Sequence, residues 1–138
     1  MIDDLVGLFR KGSKKKDSEF LRSKKTEFKK LVKEKKYSKV FKLGSEILEK
    51  NPDDIDISFV LGGLYFMEGK FSKAILCFDK VLEISSFDPE ALLLKANSHY
   101  KLGQYKKSIS CCEKIKEIDP KNKGMLELLE KISKTTID

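Results

Sequence analysis

Few residues in this chain could do chemistry, and their spacing argues against catalysis. His99 is the only histidine among 138 residues, and the cysteines are Cys77, Cys111 and Cys112. A histidine works as a general base only with a nucleophile or a second acid–base group in reach, and no such pattern accompanies this one. Cys77 and Cys111 stand 34 positions apart (111 − 77), which reads as one packing column met twice. Neighbouring helical residues point about 100° apart, so Cys111 and Cys112 cannot chelate together. No CxxC, HExxH, GxSxG, P-loop or GxGxxG signature occurs. Gly62-Gly63 follows no strand and reads as a helix-packing pair. The carboxylates fall at helix starts or on polar faces. The expectation is a non-enzyme with no metal and no cofactor. An odd cysteine count is no disulfide framework, which points to a reducing, cytoplasmic setting.

What positions these residues is a repeat. Gly69 and Gly103 are 34 apart; Tyr37, Phe71 and Tyr105 keep the same step, as do Ile47, Val81 and Ile115, and Glu49, Glu83 and Glu117. Four columns in phase mark stacked supersecondary units, each of which must bury its apolar face on its neighbours. Apolar residues at helical spacing, broken by Asn51-Pro52, Asp88-Pro89 and Asp119-Pro120, predict helices over about 18–35, 37–50, 54–68, 71–84, 89–102 and 105–118. A last helix over about 121–134, polar on its outer face, would cap the stack. Asp54 and Asp88 are expected as N-caps, with Pro89 in a first helical position.

Ahead of the repeats, residues 1–12 predict a short amphipathic helix, with Ile2, Leu5, Val6 and Phe9 on one face and Gly12 as its stop. Residues 13–17 read as a basic linker, and residues 18–138 as the repeat domain, with units at about 21–54, 55–88 and 89–122. The net charge is +7. Residues 1–50 hold 16 Lys+Arg against 8 Asp+Glu, and residues 51–138 hold 13 against 14, so all the excess lies in the first third. Two readings of that excess stand side by side: a solvated lysine face, or contact with acidic protein, phosphate or anionic lipid. No run of eighteen apolar residues offers a membrane span, and the first residues lack the secretory pattern.

The repeat resembles the tetratricopeptide family, whose pattern is W-x2-L-G-x2-Y, then A-x3-F, then P. The middle unit reads Ser58-x2-Leu61-Gly62-x2-Tyr65, then Ala74-x3-Phe78; the last reads Leu92-x2-Lys95-Ala96-x2-His99, then Ser108-x3-Cys112, then Pro120. The first unit departs most, with Phe28 in a small-residue position and Lys35 where the others carry glycine. Small residues (Gly62, Ala74, Ala96, Ser108) sit where paired helices approach closely, and large ones (Tyr65, Phe71, Phe78, Tyr105) fill the gaps between units. The resemblance implies an all-α, right-handed superhelix of three helix pairs plus the capping helix, with the first helix of each pair lining a concave groove. Its groove positions would include Lys25, Lys29, Phe59, Gly63, Phe66, Met67, Leu93, Asn97, Tyr100 and Lys101. Some family members clamp a terminal carboxylate with a Lys/Asn/Asn/Lys/Arg set. Lys25 fits it, but Lys29, Val60, Glu90 and Leu94 do not.

The apolar groove residues allow two readings, core packing or an exposed binding patch. If exposed, they suit an amphipathic helix or peptide. The function expected is non-catalytic protein or peptide binding in that groove. The chain's own N-terminal helix could occupy it, in the same molecule or in a neighbouring copy, which would make a homodimer. The alternative is weak, sequence-blind binding of nucleic acid or an anionic surface through the basic first third.

Overall fold

Pro89 and the Asx-type caps start helices where the pattern places them. In the computed structural model, residues 18–136 are described, and they form seven α-helices: α1 Glu19–Lys33, α2 Tyr37–Lys50, α3 Ile55–Met67, α4 Phe71–Ile84, α5 Pro89–Lys101, α6 Tyr105–Ile118 and α7 Lys123–Thr136. Their ends lie within two residues of the expected ones. No strand occurs among the described residues. The expected helix over residues 1–12 lies outside them.

Each start has a physical cause. Ser18 Oγ accepts from Leu21 N–H at 3.2 Å, Asp54 Oδ1 from Ile57 N–H at 3.2 Å, and Asp88 Oδ1 from Glu90 and Ala91 N–H at 3.1 Å each. These bonds satisfy donors that a helix start leaves without partners. The last helix starts at Lys123 rather than 121. Asp119 Oδ1 takes Lys121 N–H at 3.2 Å and Asn122 Oδ1 takes Met125 N–H at 2.9 Å, so the turn runs two residues longer.

The three turns inside the helix pairs share one geometry. Lys36 N–H reaches Leu31 O at 3.1 Å, Lys70 N–H reaches Tyr65 O at 2.9 Å, and Gln104 N–H reaches His99 O at 2.8 Å. These six-to-one bonds close Schellman turns, which require a left-handed residue just before the donor. Gly69 (φ 77°) and Gly103 (φ 74°) supply it, and so does Lys35 at φ 59°. Lys35→Gly is therefore expected to stabilise the fold by up to about 1 kcal/mol. It removes left-handed strain of about 1–2 kcal/mol, partly offset by a freer unfolded chain. Gly69→Ala should do the reverse, since nothing lies within 4 Å of a Cβ placed there and the cost is torsional alone. Equilibrium urea denaturation of both variants checks this column.

The chain divides into two units, Met1–Leu61 and Gly62–Asp138, the division falling inside α3. In the first, α1 packs on α2. Phe28 and Val32 of α1 and Val40, Leu43, Gly44 and Ile47 of α2 are buried. A Cβ on Gly44 would stand 3.1 Å from Phe28 Cε2 and from the Leu61 methyls. At the outer end of the pair, Lys50 Nζ lies 4.4 Å from the Phe20 ring centroid.

In the second unit α5 packs on α4, α6 and α7, and α6 also packs on α7. Leu92, Ala96, Cys112, Ile115 and Met125 are among its fully buried residues. The size relation seen at Gly44 is inverted here. A Cβ on Gly62 would stand 2.8 Å from Phe78 Cε1 and 3.0 Å from Cys77 Cβ. So the first helix contributes the glycine and the second the ring, whereas α1 contributes the ring (Phe28) and α2 the glycine (Gly44). In the third pair the equivalent residues, Ala96 and Cys112, are of intermediate size and both are fully buried in one core cluster. Ser108 Oγ, buried there, donates to Ala96 O at 2.8 Å.

Candidate functional site

The residues expected to do chemistry sit in packing roles. His99 is 6% exposed, and its Nδ1 lies 2.7 Å from Gln104 Oε1, the amide oxygen accepting. The ring thus ties the end of α5 to its own Schellman turn. Cys111 and Cys112 are buried, and Cys77 is half-buried. Burial pushes Cys77 and Cys112 each up to about 11 and raises Cys111 as well. Thiolate is the reactive form, so Ellman's reagent near pH 8 is expected to label the folded chain far more slowly than the chain in guanidinium. The sign for stability follows. Thiols whose folded pKa is raised favour the folded state below about pH 9, and that contribution is lost as pH climbs from 9 toward 11. Among the described residues, no group of three or more His, Cys, Asp or Glu could hold a metal ion. No helix there is long and apolar enough to cross a membrane.

Helical spacing sets the positions expected to line a groove. In the second unit, Gly63, Phe66 and Met67 end α3, and Leu93, Asn97, Tyr100 and Lys101 follow i, i+4, i+7, i+8 along α5. Phe66 stacks edge-on against Phe71 with centroids 5.3 Å apart and planes at 71°. Tyr100 meets Tyr105 at 5.6 Å and 41°. Both pairs step by 34 residues, so one aromatic clasp recurs across two helix turns. It holds Phe66 and Tyr100 half-buried, with Met67 and Lys101 exposed beside them. Gly63 is buried. Asn97 donates to Leu93 O at 2.9 Å. Leu93 is half-buried against the core cluster, and Gly124 of α7 leaves room for it: a Cβ there would stand 2.5 Å from Leu93 Cδ2.

In the first unit the expected residues fare differently. Phe59 is 3% exposed and is closed to solvent in this conformation. Lys29 is exposed. Lys25 is 8% exposed. Its Nζ lies 2.9 Å from Asp54 Oδ2 and 3.5 Å from Asp56 Oδ2. The lysine that the carboxylate-clamp pattern would offer to a ligand is thus held by two carboxylates of its own chain. Asp54 also accepts from Asn51 Nδ2 at 3.4 Å while capping α3, so one side chain fixes the turn, the helix start and the ammonium. Nothing in a single sequence couples residue 25 to residues 54 and 56. Ile2, Leu5, Val6 and Phe9, the proposed docking arm, lie outside the described residues.

The family model described as anaphase-promoting complex, cyclosome, subunit 3, of tetratricopeptide type, matches residues 33–115 and again residues 67–133. The two matches start 34 residues apart (67 − 33), one repeat period. The chain belongs to this tetratricopeptide family. Domains of this type are non-catalytic protein-interaction modules. No curated protein matches the sequence. Among solved structures, the first tetratricopeptide domain of Spaghetti (RPAP3), bound to the HSP90 peptide SRMEEVD, superposes with a TM-score of 0.77 at 19% identity, covering 88% of this chain and 97% of that one. The Arabidopsis OM64 tetratricopeptide domain gives 0.72 at 16% identity, over 83% and 95%. The Yersinia enterocolitica type III secretion translocator chaperone SycD, in its alternative dimer, gives 0.66 at 16% identity, over 86% and 89%. At these identities the likeness is one of fold. Lys95, which replaces the family's leucine, is accounted for by its 2.6 Å bridge from α5 to Asp79 of α4.

Proposed function

We propose that the tetratricopeptide domain binds a peptide or amphipathic helix through the face carrying Gly63, Phe66 and Met67 of α3 and Leu93, Asn97, Tyr100 and Lys101 of α5. The observation that supports it most is the recurring clasp: Phe71 and Tyr105 fix the rings of Phe66 and Tyr100 while leaving part of each open. Pre-oriented aromatic rings lose little freedom on binding and suit anchor contacts. Lys25 and Phe59, buried in the first unit, contribute to the fold there. Lys29 supplies charge at its surface. The RPAP3 domain's bound peptide illustrates what a fold of this type can hold.

The occupant proposed is the chain's own segment 1–12, through Ile2, Leu5, Val6 and Phe9, in the same molecule or in a second copy. Burying four such side chains yields about 6–10 kcal/mol gross. Ordering twelve residues costs at least about 12 kcal/mol. Docking is therefore weak and displaceable, and proximity on one chain decides it. The test is a labelled peptide of residues 1–12 titrated onto the chain lacking them, up to the millimolar concentration that tethering would supply. Binding is expected, weakened at least about tenfold by Met67→Glu or Phe66→Ala, with Met67→Glu leaving the melting temperature nearly unchanged. Absence of peptide binding, together with an unchanged oligomeric state when residues 1–12 are deleted from the full chain, would refute the arm as occupant.

A further inference from the structure

The turn between α1 and α2 is unlike the other two. Residues 29–42 hold seven lysines and one glutamate, a net of +6 (7 − 1). The equivalent spans one and two periods later, 63–76 and 97–110, hold +1 (2 − 1) and +3 (3 − 0). All seven lysines are exposed. Three of them, Lys30, Lys36 and Lys39, converge on Glu34 in space as well as in sequence. Lys36 Nζ lies 2.8 Å from Glu34 Oε2, and Lys30 Nζ lies 4.0 Å from Glu34 Oε1. The hydrogen bond from Lys36, with the fields of Lys36, Lys30 and Lys39, holds the Glu34 carboxyl below its usual range. At the apex stands Lys35, left-handed where the sister turns use glycine. A residue kept in a costly conformation that glycine would relieve points to its side chain having a use.

We propose that this lysine tip docks the domain on an anionic lipid surface. The chemistry favours lipid over nucleic acid. Every cation of the tip is a lysine, a hydrated point charge without the planar guanidinium that stacks on rings and suits nucleic-acid recognition, so the tip answers to charge density rather than to nucleotide geometry. Its rings, Tyr37 and Phe41, are half-buried, so no open ring platform invites a base to stack. The tip is the exposed turn of a helical hairpin, which meets a plane more readily than it encloses a strand. Clusters of four to eight lysines are what an anionic leaflet attracts. This attachment is independent of the binding face on α3 and α5.

Vesicle co-sedimentation of the full chain tests it. Binding is expected to phosphatidylcholine vesicles containing about 30% phosphatidylserine at low salt, and to phosphatidylcholine alone not at all. It should fall steeply as salt rises past physiological strength. Each tip lysine is worth about fivefold in affinity, so Lys33→Gln/Lys39→Gln/Lys42→Gln should lose about a hundredfold. Lys35→Gly should lose about fivefold while melting higher than the parent, which separates attachment from folding. The matched set Lys123→Gln/Lys131→Gln/Lys134→Gln on α7 should change binding little. Full retention by the tip variant would overturn the proposal, as would equal binding to uncharged vesicles, or loss on deleting residues 1–12 with the tip intact. Tighter binding to a single-stranded RNA oligomer than to the vesicles at the same salt would assign the tip to nucleic acid instead.

Discussion

Gly44→Phe is expected to unfold the first helix pair, and adding Phe28→Gly to restore most of what was lost. A Cβ at residue 44 already stands 3.1 Å from the Phe28 ring and the Leu61 methyls, so a second ring has nowhere to go. Phe28 is fully buried and cannot swing into water. Overpacking by a whole ring exceeds the usual range of about 1–3 kcal/mol, a large share of a small domain's stability. Phe28→Gly alone should cost about 3–5 kcal/mol for the cavity, plus about 1 kcal/mol for a glycine inside a helix. The double exchange recreates the arrangement that Gly62 and Phe78 already occupy one period later. Urea denaturation of the two single variants and the double gives the cycle. Strict additivity of the two losses would show that residues 28 and 44 do not share one space.

Lys25→Ala should lower stability by about 3–5 kcal/mol, because it leaves Asp54 and Asp56 buried around a missing ammonium. A lysine that merely awaited a ligand would be removed at almost no cost to the fold. The same denaturation experiment therefore separates the two roles, and a loss below about 0.5 kcal/mol, the level of an ordinary surface substitution, would return Lys25 to the ligand side. Asp54→Ala should be at least as damaging, since the cap on Ile57 N–H goes with it.

These two sites mark where sequence reading reaches and where it stops. The 34-residue step fixes the helices and their order, because glycine, proline and buried apolar columns act within one turn or one helix of their own position. The turn column is legible as glycine at Gly69 and Gly103, and its third member shows only as an exception at Lys35; the left-handed backbone they share does not. Phe28 looked like a defect in the pattern; its compensation at Gly44 lies sixteen residues away on another helix (44 − 28), and periodicity alone does not pair sizes across helices. The candidate face was legible as spacing along α3 and α5. Helical spacing does not say how deep each position lies, so it could not tell Phe59, which is buried, from Met67, which is exposed. The partnering of Lys25 was invisible for the same reason: charge type is local, but the neutralising carboxylates arrive from a different helix start.

The inverted glycine–ring pair also bears on how such chains can diversify. Where each hairpin carries its own large and small member, a hairpin can be duplicated or moved whole, but α2 cannot trade places with α4 without setting two rings, or two voids, face to face. The heritable module is then the hairpin, not the helix. Among descendants of this sequence the volumes at 28 and 44 should drift only in opposite directions, as should those at 62 and 78, while the two sums stay nearly constant.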